Sequence, residues 1–204
     1  MTAPAATRLA LAVLVATTLA SGCNASPPSN APATRSSSPS PAASSARSPS
    51  AVATEFGLID PSLLDLLPPT VGGLPIQRNS ESDAIVASNA TVLAYANGAI
   101  TGLAVDAAAG EFVHATVVRL RPGVFSDGFF RDWRDGFDGG VCAPVGGVRG
   151  HAEATIGGHQ TFIGSCVEAV LTYHVWLPIS GILVSVSSVG PRMLGQRLIE
   201  GLRD

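Results

Sequence analysis

His151, Glu153 and His159 are the residues whose types and spacing come nearest to a metal-binding set. Side chains on a β-strand alternate between faces, so His151 and Glu153 share one face, and a turn at Gly157-Gly158 would bring His159 opposite them. Three protein ligands with a fourth position open is the pattern of a catalytic zinc. The spacing matches no established zinc motif, however, and polar residues on the solvent face of a strand would look the same. These three stand as candidates only, and no metal or other cofactor is expected. Nucleophilic catalysis has less support: there is no Gly-x-Ser-x-Gly elbow, and the serines between positions 24 and 53 have no positioned partners. Asp132 and Asp135 lie beside Arg131 and Arg134, as on a solvated helix face with local ion pairs.

The aromatic residues offer binding chemistry instead. Phe129, Trp133 and Phe137 recur every four residues, the spacing of a buried helical stripe, and leave Phe130 to one side of it. Over 167–177 the odd-numbered positions, from Val167 through Tyr173 to Leu177, make the more apolar strand face, which puts Thr172, His174 and Trp176 on the other. A tryptophan facing solvent from a sheet is a contact site for sugar or protein; the alternative is a second layer that covers it. Thr172, His174, Trp176 and Phe130 form the candidate binding surface.

Certain elements must position these residues. Asp60 and Pro61 open a helix that carries Leu63, Leu64, Leu66 and Leu67 and stops at Pro68-Pro69. A second helix is predicted over 80–97, with Ser80 and Asp83 in a capping-box pattern and Ile85, Val92 and Ala96 as its stripe. Strands follow at 99–105 and 111–121; either face of the second could be the buried one. A third helix runs over 126–137 with Ser126 as its cap, and Gly139-Gly140 ends it. A meander of strands at 151–156, 159–163, 167–177 and 182–189 leads to a closing helix that opens at Gly190-Pro191, with Leu194, Leu198 and Leu202 on one face.

Charge narrows the partners. The chain has 12 arginines and no lysine, and all 15 acidic residues lie after position 54, against nine arginines there, a net charge of −6 for that part. Arginines scattered among carboxylates make no basic face, so nucleic acid is not expected as a partner.

The first 53 residues are of a different kind. A leader with Arg8 precedes an apolar run from Leu9 to Ala20, too short to span a bilayer, followed by Leu19-Ala20-Ser21-Gly22-Cys23. This resembles the lipobox of bacterial lipoproteins of the actinobacterial and mycobacterial type, with Ala20 where leucine is more usual. The resemblance implies cleavage of a signal peptide over 1–22, a lipid anchor on Cys23 and residence on the extracytoplasmic face of the cell membrane. Residues 23–53 are Ser, Pro and Ala with little to bury, the composition of a disordered linker. One extracytoplasmic domain over 54–204 remains.

If lipidation takes Cys23, Cys142 and Cys166 are left as a pair, and outside the cytoplasm a pair is expected to be a disulfide. Their wide spacing and the lack of a Cys-x-x-Cys argue against metal ligation or redox exchange. The fold expected is α+β: an antiparallel sheet of about five or six strands with about three helices mainly on one face and one disulfide. The first functional reading is a membrane-anchored, non-catalytic domain that binds an envelope protein or glycan. The second is a carrier of lipid or another hydrophobic ligand in a pocket between sheet and helices, and the third an envelope hydrolase or metal-dependent enzyme.

Overall fold

Alternation of side chains along the strands sets the architecture. The structure, a computed structural model, describes residues 57–203; the signal peptide, Cys23 and linker expected from the sequence lie outside them. In chain order the elements are a 3-10 helix (Pro61–Leu66), β1 (Thr70–Val71), β2 (Leu74–Pro75), β3 (Gln77–Arg78), α1 (Ser80–Ser88), α2 (Ala90–Tyr95), β4 (Ala96–Asp106) and β5 (Glu111–Leu120). Then come α3 (Asp127–Cys142), a 3-10 turn (Ala143–Val145), β6 (Val148–Ile156), β7 (His159–Cys166), β8 (Val170–Leu177), β9 (Ile182–Val189) and α4 (Leu194–Glu200). The fold is α+β. Seven strands form one antiparallel sheet in the order β3-β4-β5-β9-β8-β7-β6, and β1 and β2 pair separately. Six of the seven match the strands read from the sequence, and the seventh, β3, is a two-residue edge strand.

Both faces of the central strands are buried, which is why the sequence of β5 leaves the choice of face open. One face packs Val113, Val117, Tyr173, Val175, Val184 and Val186 against Leu194, Leu198 and Ile199 of α4 and Leu63 of the 3-10 helix. α1, α2 and α3 cover the opposite face, where Val92, Ala99, Val118 and Leu120 pack with Phe129, Trp133 and Trp176. The helix expected over 80–97 is two helices, because Asn89 stops α1 and then caps α2, its Oδ1 accepting from the N–H groups of Thr91 and Val92 at 2.9 and 3.2 Å. Asn79, not Ser80, caps α1, with Oδ1 accepting from Ser82 N–H at 3.0 Å. Ile85 is accordingly 64% exposed, outside the stripe expected of it.

Ser126 caps α3 as expected, its hydroxyl accepting from Phe129 N–H. The helix then runs through Gly139-Gly140 to Cys142, five residues beyond Phe137. Cys142 and Cys166 form a disulfide with Cα atoms 5.1 Å apart, which ties the end of α3 to the end of β7. Gly157 and Gly158 make the tight β6–β7 turn with φ of 59° and 89°. α4 begins at Leu194, so Pro191 belongs to the turn before it.

Candidate functional site

α3 crosses the sheet with Phe130, Asp138 and Cys142 turned inward, each buried. These positions are eight and four residues apart, so they lie on one helical stripe. Phe129, Trp133 and Phe137 flank that stripe and are only partly buried. Asp138 thus comes to rest on the sheet with its side chain 0% exposed. Thr172 Oγ1 donates to its Oδ1 at 2.5 Å, His174 Nε2 lies 2.9 Å from the same oxygen, and His151 Nε2 lies 3.0 Å from Oδ2.

Burial by itself would push the Asp138 carboxyl up. The hydrogen bonds from His174 and Thr172, the attraction of His174 and the bond from His151 outweigh it and hold the carboxyl below the usual carboxylate range. An ionised carboxylate can only accept, so Nε2 of each histidine carries the proton that faces it. His174 Nδ1 lies 3.0 Å from Ser185 Oγ, and Trp133 Nε1 donates to that same oxygen at 2.9 Å. Ser185 Oγ thus bridges the Trp133 indole and the His174 ring, and the chain Trp133–Ser185–His174–Asp138 is hydrogen-bonded throughout.

Serine, histidine and aspartate in hydrogen-bonded series are the residue types of a nucleophilic triad. Here Ser185 and His174 are each 0% exposed, and the serine oxygen is held between an indole and an imidazole. In this arrangement no substrate carbonyl can approach it, and the series fastens α3 to β8 and β9. A glycine makes the approach possible: a methyl group on Gly164 would overlap the Thr172 hydroxyl and the Asp138 carboxyl.

A second buried carboxylate, Asp83 of α1, binds the same face of the sheet. Its Oδ1 accepts from Thr101 N–H at 2.8 Å and from Thr101 Oγ1 at 2.7 Å, and its Oδ2 from Arg78 Nε at 2.6 Å. Nearby on this face, burial lowers the His114 imidazole below its ordinary value while the charge of Asp83 opposes the shift. His114 Nε2 is buried without a hydrogen-bond partner among the described residues.

An accessible concavity lies at one end of the sheet, where the entry to α3, the β6–β7 turn and the β8–β9 turn meet. It is a groove of about 600 Å³, with Phe125, Phe130, Phe162 and Trp176 along it and Asp127, His159 and Gln160 among its polar groups. The Phe125 and Trp176 rings are stacked with centroids 4.0 Å apart, and Phe130 meets Phe162 edge to face at 5.1 Å. Of the candidate binding surface, Trp176 and Phe130 line this groove; Thr172 and His174 are buried under α3 as partners of Asp138.

The three metal candidates separate. His151 turns to Asp138, Glu153 is exposed with its Oε2 3.5 Å from Gln160 Nε2, and His159 lines the groove. His159 pairs with Ile156, and strand alternation puts that pair on the opposite face from His151 and Glu153. Among the described residues no three His, Cys, Asp or Glu side chains converge as a metal set.

Sequence reasoning missed Asp138 and Ser185. The signal for Asp138 was its position four residues before a cysteine expected in a disulfide, which places it on the buried side of the helix. Among the described residues no helix is long and apolar enough to cross a membrane. In comparison with known proteins, the chain matches no family model, no curated protein and no solved structure.

Proposed function

We propose that this protein is a lipid-anchored component of the cell envelope whose 54–204 domain binds a ligand without altering it chemically. One observation carries this reading: the accessible groove is lined by aromatic rings and hydrogen-bonding groups, while the serine, histidine and aspartate that could do chemistry are enclosed and committed to one another. The lipobox-like sequence before Cys23 supports the anchor. The low count of charged residues in the groove suits a ligand recognised by shape, stacking and hydrogen bonds.

Native mass spectrometry of the full-length protein, purified from membranes of an actinobacterial host, tests the binding role. A ligand retained by the unsubstituted chain and lost from Trp176→Ala supports it; a ligand retained equally by both removes the groove from the account. The anchor is tested separately by Cys23→Ser, which should leave the domain folded and release the protein from the membrane fraction. A second reading, a carrier for an acyl chain, draws on a cavity of about 310 Å³ between the helices and the sheet, lined by Ile85, Val86, Val92, Trp133 and Phe137 among others. A lipid that Trp176→Ala still retains, and Val92→Trp excludes, would favour that reading.

A further inference from the structure

We infer that the aromatic groove takes an uncharged saccharide, stacked on the Phe125–Trp176 ring pair and hydrogen-bonded by Trp176 and Asp127. This rests on the binding role proposed above and adds the chemical class of the ligand.

Charge makes the first selection. Asp127 is the acidic residue of the lining, and the lining contains no arginine. A phosphate, sulfate or uronate entering the groove would meet the Asp127 carboxylate, while the Arg134 guanidinium is engaged over the Phe162 ring, 5.1 Å from its centroid, and is not among the lining residues. The domain's excess of acidic residues over arginines acts in the same direction.

Surface shape makes the second. Phe125 and Trp176 stack face to face, with centroids 4.0 Å apart and planes within 8° of parallel. Each ring covers one face of the other, so a ligand meets the pair at an outer face, with Phe130 set edge-on to Phe162 nearby. One face of a pyranose ring is a flat array of C–H bonds that complements an aromatic face, whose quadrupole is negative. Ile179, 97% exposed, stands at the rim as a further apolar contact.

Hydrogen bonding makes the third, and it separates a sugar from an acyl chain. Among the described residues the Trp176 indole N–H has no acceptor and the Asp127 carboxylate has no hydrogen-bond partner. An alkyl chain laid over them would strip them of water and return nothing, whereas a sugar hydroxyl both donates and accepts. Free donors and acceptors around stacked rings are therefore matched by a polyhydroxylated ring and mismatched by a lipid tail.

The test is a titration of the full-length protein with four neutral hexasaccharides (a glucan, a galactan, a mannan and an arabinan), with oligogalacturonate as the anionic counterpart and dodecylphosphocholine as the lipid-like one. The chain has two tryptophans, so Trp133→Phe leaves Trp176 as the sole indole reporter. Because Trp133→Phe also gives up the bond to Ser185, the same titrations are run by calorimetry on the unsubstituted chain. The expected result is saturable binding of at least one neutral hexamer, weakened roughly tenfold or more by Trp176→Ala and about three- to tenfold by Trp176→Phe, which keeps a ring and removes the N–H. Oligogalacturonate should bind at least about tenfold more weakly than that hexamer. No saturation by any neutral hexamer at about 10 mM, or binding that Trp176→Ala leaves unchanged, overturns the inference. If dodecylphosphocholine alone saturates and Trp176→Ala abolishes it, the saccharide class is wrong and the binding role stands; if no probe binds, both fall.

Discussion

The two faces of the sheet are one residue apart along every strand, yet they are held by different physics. The row Ile100, Val117, Val184, Val175, Thr161, Ala154 crosses from β4 to β6 on the α4 side. One residue along each strand, the row Thr101, Thr116, Ser185, His174, Phe162, Glu153 crosses on the α3 side. The first row is largely apolar and packs under Leu194, Leu198 and Ile199, where attraction is non-directional and depends on area and fit. The second is largely polar, and Asp138, Trp133 and Asp83 reach down from the helices to bond with it or with its neighbours. Buried polar groups stabilise only when all are paired, so this face is directional and intolerant where the other is forgiving. A hydrogen-bonded Ser, His and Asp can serve as a fastening: here they hold α3 to the sheet as leucines hold α4.

Substitutions can break this contrast. Asp138→Ala should have the largest effect, a loss of about 3–5 kcal/mol, because it leaves Thr172, His174 and His151 facing a buried void without their common acceptor. Urea unfolding followed by far-UV circular dichroism measures it, and a loss comparable to that of an exposed aspartate would mean that the network is idle. Next comes a matched pair of conservative exchanges. Thr172→Val preserves shape but removes one donor to Asp138 and should cost about 1–3 kcal/mol. Leu198→Met on the apolar face should cost less than about 1.5 kcal/mol. Equal costs, or the reverse order, would erase the distinction between the faces. Gly164→Ala should cost about 1–3 kcal/mol, since its methyl displaces the Thr172 hydroxyl or the Asp138 carboxyl; a neutral result would show that α3 can lift without loss.

Much of this fold is legible in the sequence. The strand periods, the Gly157-Gly158 turn and the Ser126 cap follow from local patterns, and the pairing of Cys142 with Cys166 follows from the cysteine count once Cys23 is set aside. The break at Asn89 is harder to read, because asparagine caps and helix interiors differ only in the backbone state around them, and Val92 and Leu93 continue the apolar pattern beyond it. The inward face of α3 is offset by one residue from the aromatic stripe, since the disulfide and Asp138 set the helix rotation, and the aromatics at 129, 133 and 137 are left to flank it. His174 and Thr172 read as a possible surface because alternation identifies a face but not what covers it. The groove is assembled from 125–130, 158–162 and 176–180, segments that meet only in the folded sheet, so single residues of it could be flagged and their convergence could not.

The central claim, that the Asp138 carboxylate is a structural clamp held ionised by its partners, is tested most directly by acid unfolding of the unsubstituted protein and of Asp138→Asn. The folded carboxyl titrates below its unfolded value, so its contribution to stability is complete above about pH 4 and is lost as the pH falls through the lower, folded value. Urea midpoints and slopes recorded from pH 7 down to pH 2 should therefore show the unsubstituted protein losing stability below about pH 4 more steeply than Asp138→Asn, by up to about 1.4 kcal/mol per pH unit. Parallel acid limbs for the two proteins would contradict the clamp and reopen Asp138, His174 and Ser185 as a set kept for chemistry.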